Sequence, residues 1–243
     1  MGSVGPLGGM VAISSAPAGS PGHRLVPNSP ELGGQSLADY ATNILRDRLI
    51  VLDIPPGTPI NDELIGRELG IGRTPVREAI KRLESEHLVS VYARRGTFAS
   101  VVDITDLAEI AEIRAQLEPL AAARAAAHAS PQQRRDLADL ADRLDRVDFG
   151  TSLSTDLMRY DLDVHRSIYA ANGSRHLQEL LITYDNLATR IWCLVIDRLP
   201  EVGGHIAEHV ALLRAIVDER ADDARQIAHD HVISFERLVR SVI

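Results

Sequence analysis

The chain has 243 residues, 45% hydrophobic and 25% charged, with a formal net charge of −8. That length suits one or two packed domains, and the single cysteine excludes an intramolecular disulfide framework or a Cys-rich zinc motif. Aromatic residues are only 4% while Ala and Leu abound, which favours packed helices over a β-sandwich. No apolar run is long enough for a membrane span, and the opening MGSVGPLGGM has neither the basic nor the apolar region of a signal peptide. A cytoplasmic protein is expected.

Residues 1–35, rich in Gly, Ser and Pro without periodicity, read as a disordered tail. From Ser36, a plausible N-cap, Leu37, Tyr40, Ala41, Ile44, Leu45 and Leu49 recur at helical spacing until Pro55-Pro56-Gly57 breaks the pattern. A short helix is expected over 61–69, capped by Asn61, with Asp62 and Glu63 in its positive first turn and Gly70 at its end. The next helix starts near Gly72–Thr74, with Pro75 tolerated in its first turn, and runs to about Glu86. The period then switches to two. Residues 88–92 and 97–101, joined by Ala93-Arg94-Arg95-Gly96, read as a hairpin. Six helices follow, at about 105–128, 131–148, 153–171, 175–198, 202–220 and 222–242, with Pro119 expected to kink or break the first.

The charge is unevenly spread. Residues 36–102 hold nine Lys/Arg and nine Asp/Glu, so the whole excess of −8 falls in 103–243. Within the neutral part, residues 72–97 carry Arg73, Arg77, Lys81, Arg82, Arg94 and Arg95 against Glu78, Glu84 and Glu86, a local patch of +3 suited to an anion. Helix, short helix, glycine-bearing turn, helix and basic-tipped hairpin is the order of a winged helix-turn-helix. Such a fold aims the start of its second helix at base edges, where Arg73, Thr74 and Arg77 stand. Arginine pairs bidentately with guanine, and Arg95 and Gly96 at the hairpin tip suit a wing lying against phosphates. For the basic residues alone, an ordinary solvated helix face would be the simpler reading.

The segment GRTPVREAIKRLESEHLV, followed by RRGTFAS, resembles the DNA-binding domain of GntR-family bacterial transcription regulators over residues 36–101. The resemblance implies that Arg73, Thr74 and Arg77 contact bases or adjacent phosphates and that Arg95 and Gly96 are wing contacts. Glu63 stands where many members carry Arg, and Gly72 where Ser or Thr is usual, so no DNA contact is expected from Glu63 and one phosphate-facing hydroxyl is lost.

In the helical half, Leu157, Asp161, Val164, His165 and Ile168 share one face, as do His205, His209, Leu212, Leu213, Ile216 and Val217. A third face combines Ile227, His231, Phe235, Leu238 and Val242, with His229 on the polar side. Three helices thus aim Asp or His inward. A lone inward His is ordinarily a hydrogen-bonded core residue, whereas imidazoles and a carboxylate converging from several helices suit Zn²⁺, Ni²⁺ or Mn²⁺.

Asp161-x-x-x-His165, then Glu208-His209, then His231 twenty-two residues on, resembles the FCD effector domain of FadR-type regulators over residues 105–243. Its metal-binding branch implies Asp161, His165, His209 and His231 as ligands of one divalent metal per chain. Zinc is the first expectation, with nickel and manganese as alternatives. Arg114 matches a position that often faces the effector and suits a carboxylate; its other reading is a surface ion pair with Glu118 at i+4. His205 is an additional pocket residue or substitute ligand. Asn172-Gly173 stands in the reverse of the expected order, and the helix bearing Arg114 contains Pro119, both features that would move pocket walls.

The expected protein is mainly α, with a winged helix-turn-helix over 36–102 and an all-helical antiparallel bundle over 103–243 for effector binding and dimerisation. Its expected function is a ligand-responsive regulator, a repressor by the commoner family behaviour, binding an inverted-repeat DNA operator as a homodimer and sensing a small carboxylate. Two rivals are a small metallohydrolase using the Asp/His site and a regulator whose Asp/His network holds no metal. The hydrolase is disfavoured because four protein ligands leave little room for an activated water, and no HExxH motif is present.

Overall fold

The computed structural model describes residues 34–148, 154–199 and 202–243. The expected disordered tail therefore lies, apart from its last two residues, outside the described residues. Helix α1 (Leu37–Ile50) opens on a reciprocal capping box, Ser36 accepting from the Asp39 amide and Asp39 from the Ser36 amide. Next come α2 (Asp62–Leu69), capped by Asn61 as expected, and α3 (Arg73–Ser85). Leu45, Leu49, Ile65, Leu69, Val76, Ala79 and Leu83 are buried between the three helices.

The hairpin is β2 (Val89–Tyr92) and β3 (Gly96–Ala99), antiparallel, with Val91 opposite Thr97 and Tyr92 opposite Gly96. A third strand, β1 (Pro59–Ile60), pairs with β3 and makes the sheet β1-β3-β2. Strand β1 has no signature of its own: two residues are too short to show alternation, and a proline is tolerated at a strand start.

The remaining helices are α4 (Leu107–His128), α5 (Pro131–Leu144), α6 (Ser154–Ala171), α7 (Arg175–Val195), α8 (Val202–Val217) and α9 (Ala221–Arg240). Among the described residues this half is six helices, as expected. Four end earlier than their patterns implied, α9 by two residues at Arg240. After α5, residues 145–146 turn; α7 tightens into a 3₁₀ turn over Ile196–Arg198; α8 stops before Glu219, whose φ is 61°. Pro119 is buried inside α4 without breaking it. Helix α4 packs on α9, α7, α6 and α8, and its buried Ala121, Ala122, Ala125 and Ala126 leave room for close neighbours. Packing on several sides holds the helix across the amide that proline lacks.

The two halves share a seam. Leu162 of α6 is buried in the core of the N-terminal unit. Arg190 of α7, 1% exposed, donates from Nη2 to the Ser100 carbonyl oxygen at 2.6 Å. Arg166 pairs with Asp47 of α1 at 3.5 Å.

Candidate functional site

The turn between α2 and α3 is set by two glycines. Gly70 has φ +68°, and a Cβ on Gly66 would stand 2.9 Å from the Ile71 carbonyl oxygen, so the helices approach closely only with glycine there. Gly72 caps α3 through its backbone alone. Arg73, Thr74 and Arg77 are all exposed on the first turns of α3, and Arg95 and Gly96 are exposed at the hairpin tip. Arg73, Arg77, Lys81, Arg95 and Gly96 line one groove running from α3 to the hairpin. Asp62, at the start of α2, accepts from Arg77 Nε at 2.5 Å and Arg73 Nη2 at 3.2 Å. The Arg77 hydrogen bond, then that of Arg73, holds the Asp62 carboxyl below its usual range. Sequence reading placed Asp62 only as a first-turn acid, because its partners lie 11 and 15 residues away across a turn.

The second site lies in the bundle core. Asp161 and His165 from α6, His209 from α8 and His231 from α9 are all buried, and one ligand atom from each falls within 4.8 Å of the others. His165 Nε2 and His209 Nε2 stand 3.7 and 3.6 Å from Asp161 Oδ1 and 3.3 Å from each other. Each imidazole has an oxygen near its far nitrogen. His165 Nδ1 is 3.2 Å from Glu118, His209 Nδ1 is 3.1 Å from the Ile206 carbonyl, and His231 Nδ1 is 3.0 Å from Glu208. With Nδ1–H donated to those oxygens, the Nε2 lone pairs are free for a cation, the tautomer a metal ligand needs. Asp161 Oδ1 has no hydrogen-bond partner although buried, a costly state unless a cation meets it.

Charge points the same way. Glu118, Asp161 and Asp185 are buried carboxylates, faced by the one guanidinium of Arg114. With all imidazoles neutral, which requires a cation to displace the proton held on His165, two negative charges are left for a divalent cation to balance. Burial lowers the His165 pKa, but Glu118 and then Asp161 outweigh it and raise it to about 9. Burial pushes His209 and His231 well below their usual value. Asp185 is raised by burial to about 6, whereas Arg114 and His165 overcome desolvation at Glu118 and hold it near 2.

Arg114 is not at the surface. It is 4% exposed and donates from Nε to Glu118 at 2.5 Å, with Nη2 3.4 Å from Asp185. The i+4 pair expected as a surface contact is therefore made, but in the core. Beside it, Arg114, Asp161, Thr189, Trp192, His205 and Phe235 wall a crevice too tight to admit a water molecule. The indole N–H of Trp192 has no partner. His205 lies outside the four-residue cluster, stacked on His231 with ring centroids 4.0 Å apart and Nδ1 3.4 Å from Glu208. The sequence offered Glu118 only as a surface partner of Arg114 and Glu208 only beside His209, and gave no cue to Asp185.

Residues 37–99 match the family model "Bacterial regulatory proteins, gntR family", and residues 109–234, more than half the chain, match the FCD domain. A curated protein of Streptomyces ambofaciens, an uncharacterized HTH-type transcriptional regulator in an unstable DNA locus, is 37% identical over 59 residues, 24% of this chain. The match spans 25% of that relative's length. Of solved structures, E. coli McbR/YncC is similar at TM-score 0.74 and 22% identity, over 85% of this chain and 98% of that one. A GntR transcriptional regulator from Rhodococcus sp. RHA1 gives 0.65 and 22%, over 86% and 100%. At such identity these two likenesses bear on the fold. No helix among the described residues is long and apolar enough to cross a membrane. With both models matched in order along one chain, the protein belongs to the GntR family and carries an FCD domain, which makes it one of a family of regulators rather than enzymes.

Proposed function

We propose that this protein is a cytoplasmic, ligand-responsive transcription regulator with a DNA-binding unit over 36–102 and a sensing and dimerisation unit over 103–243. Arg73, Thr74 and Arg77 would read base edges in the major groove, with Arg95 and Gly96 against the backbone. A homodimer would place two such units on an inverted repeat. In the sensing unit, Asp161, His165, His209 and His231 would hold one divalent cation, with zinc the first expectation and nickel or manganese the alternatives. The observation that carries this reading is the set of three imidazoles whose Nδ1 atoms each meet an oxygen, with Nε2 of His165 and His209 beside an unpartnered Asp161 oxygen and His231 completing the cluster.

Bound there, the cation supplies a Lewis-acidic position for a ligand oxygen. The chain's own residues narrow the effector to a small hydrogen-bond acceptor, a compact carboxylate above all. Two engaged nitrogens of Arg114 leave Nη1 for such an oxygen, so a single contact is expected rather than a two-pronged one. The unpartnered Trp192 N–H adds a second donor. To act on DNA, the effector must bind one arrangement of the DNA-binding units better than the other. Leu162 and Arg190, the chain neighbours of Asp161 and of the site residue Thr189, make two of the contacts across the seam. Repression relieved by the effector is the proposed sense.

The test combines metal analysis of tag-free protein with thermal unfolding in chelator and in Zn²⁺. At a hundredfold excess over its Kd, the metal should add about 2.7 kcal/mol, a rise of roughly 5–11 °C at this chain length. His209→Ala should abolish the rise. Protein that holds no metal, and melts alike with and without it, would leave a metal-free polar network in its place.

A further inference from the structure

We infer that Glu208 is a positioning residue of the metal site, holding His231 in the tautomer and rotation that turn its Nε2 toward Asp161, His165 and His209. This rests on the metal reading above. The three imidazoles are not held alike. His165 is fixed by Glu118, itself locked in the core by Arg114, and His209 by a backbone carbonyl within its own helix. His231 is fixed from the solvent side. Glu208 is 45% exposed, yet its Oε2 lies 3.0 Å from His231 Nδ1, 3.4 Å from His205 Nδ1 and 3.3 Å from Ser234 Oγ. One carboxylate oxygen thus gathers three hydrogen-bonding groups, and His205, stacked on His231 with an interplanar angle of 12°, stops that ring from tilting.

A neutral imidazole carries one N–H. If that hydrogen sits on Nε2, the lone pair for the cation is lost; the Glu208 carboxylate favours it on Nδ1 and makes the ring a stronger ligand. The same three residues, His205, Glu208 and His231, also meet the spacing for a cation of their own. A second cation there would require both nitrogens of His231 to offer lone pairs at once, so the hydrogen-bonded hub is the arrangement compatible with the four-residue site.

The experiment compares wild type, Glu208→Leu and Glu208→Gln as full-length, tag-free protein. Zn²⁺ affinity is read by competition with a chromophoric chelator, and the melting temperature is read on metal-stripped protein. Glu208→Leu should bind Zn²⁺ about 10–100-fold more weakly while the metal-free melting temperature stays that of wild type, because the side chain is half exposed. Glu208→Gln, whose amide oxygen still accepts from Nδ1, should recover most of the affinity. Wild-type affinity in Glu208→Leu would overturn the positioning role and leave the metal site standing. A fall in the melting temperature of metal-free Glu208→Leu that matches its loss of affinity would overturn it in favour of a structural role. Wild type that takes up no stoichiometric Zn²⁺ would overturn both.

Discussion

Arg114 shows how much a residue's role depends on neighbours its sequence does not display. On a helical wheel it pairs with Glu118; in the fold the pair is buried and joined by Asp185, 71 positions away. Glu118→Ala would take from a buried guanidinium its shorter ion pair and leave it Asp185 at 3.4 Å. A loss of about 3–5 kcal/mol is expected, read as a lowered midpoint in urea unfolding; a change under about 1 kcal/mol would mean the pair is solvated. On the DNA side, residues of one charge should behave differently. Arg77→Ala should cost about 1–3 kcal/mol on operator DNA and relax the preference at one position, whereas Arg95→Ala should weaken all sequences alike and reduce the salt slope by about 1. Fluorescence anisotropy with operator and scrambled duplexes at several salt concentrations separates the two. Asp62, paired with both Arg73 and Arg77, already orders that end of α3 without DNA.

At the scale of elements, the geometry that presents α3 depends on the passage from α2. Gly66→Ala would drive a methyl group against the Ile71 carbonyl, and backbone does not yield as a flexible side chain does. An overpacking cost of about 1–3 kcal/mol is expected, together with weakened operator binding as α2 and α3 shift apart. Unchanged stability and unchanged binding would show that the turn tolerates the methyl. The elements themselves were largely legible, because apolar residues repeat with the helical period and Ser36 and Asn61 stand at true N-caps. The misreadings were local. Strand β1 is made by pairing with β3 rather than by its own pattern, and α4 passes Pro119 because neighbouring helices outweigh one missing hydrogen bond.

For the whole molecule, the seam decides whether a site in the bundle can influence a groove in the N-terminal unit. Leu162 follows Asp161 in the chain yet is buried among Leu45, Leu49 and Ile65. Arg190, pushed down to about 10 by burial, has one hydrogen bond across the seam and an unpartnered Nε. Leu162→Ala should cost about 2–5 kcal/mol and reduce any metal- or effector-dependent change in operator affinity, with Zn²⁺ binding retained. Equal coupling in the variant, measured by operator titration with and without Zn²⁺, would place the route elsewhere.

Periodicity, caps and turn residues fixed the helices from the sequence, since these are local properties of backbone and side chain. The inward turn of Asp161, His165, His209 and His231 was legible as well, because each stands on an apolar helical face, but the choice of these four over His205 came from the family resemblance. Only the tertiary structure decided what surrounds them. Whether Arg114 lies in water or in the core, which oxygen meets each Nδ1, and which residues bridge the two halves depend on groups brought together from distant parts of the chain. A carboxylate 47 or 71 residues away leaves no periodic trace, yet at 3.2 to 3.4 Å in a low-dielectric core it sets the charge, the tautomer and the available hydrogen bonds.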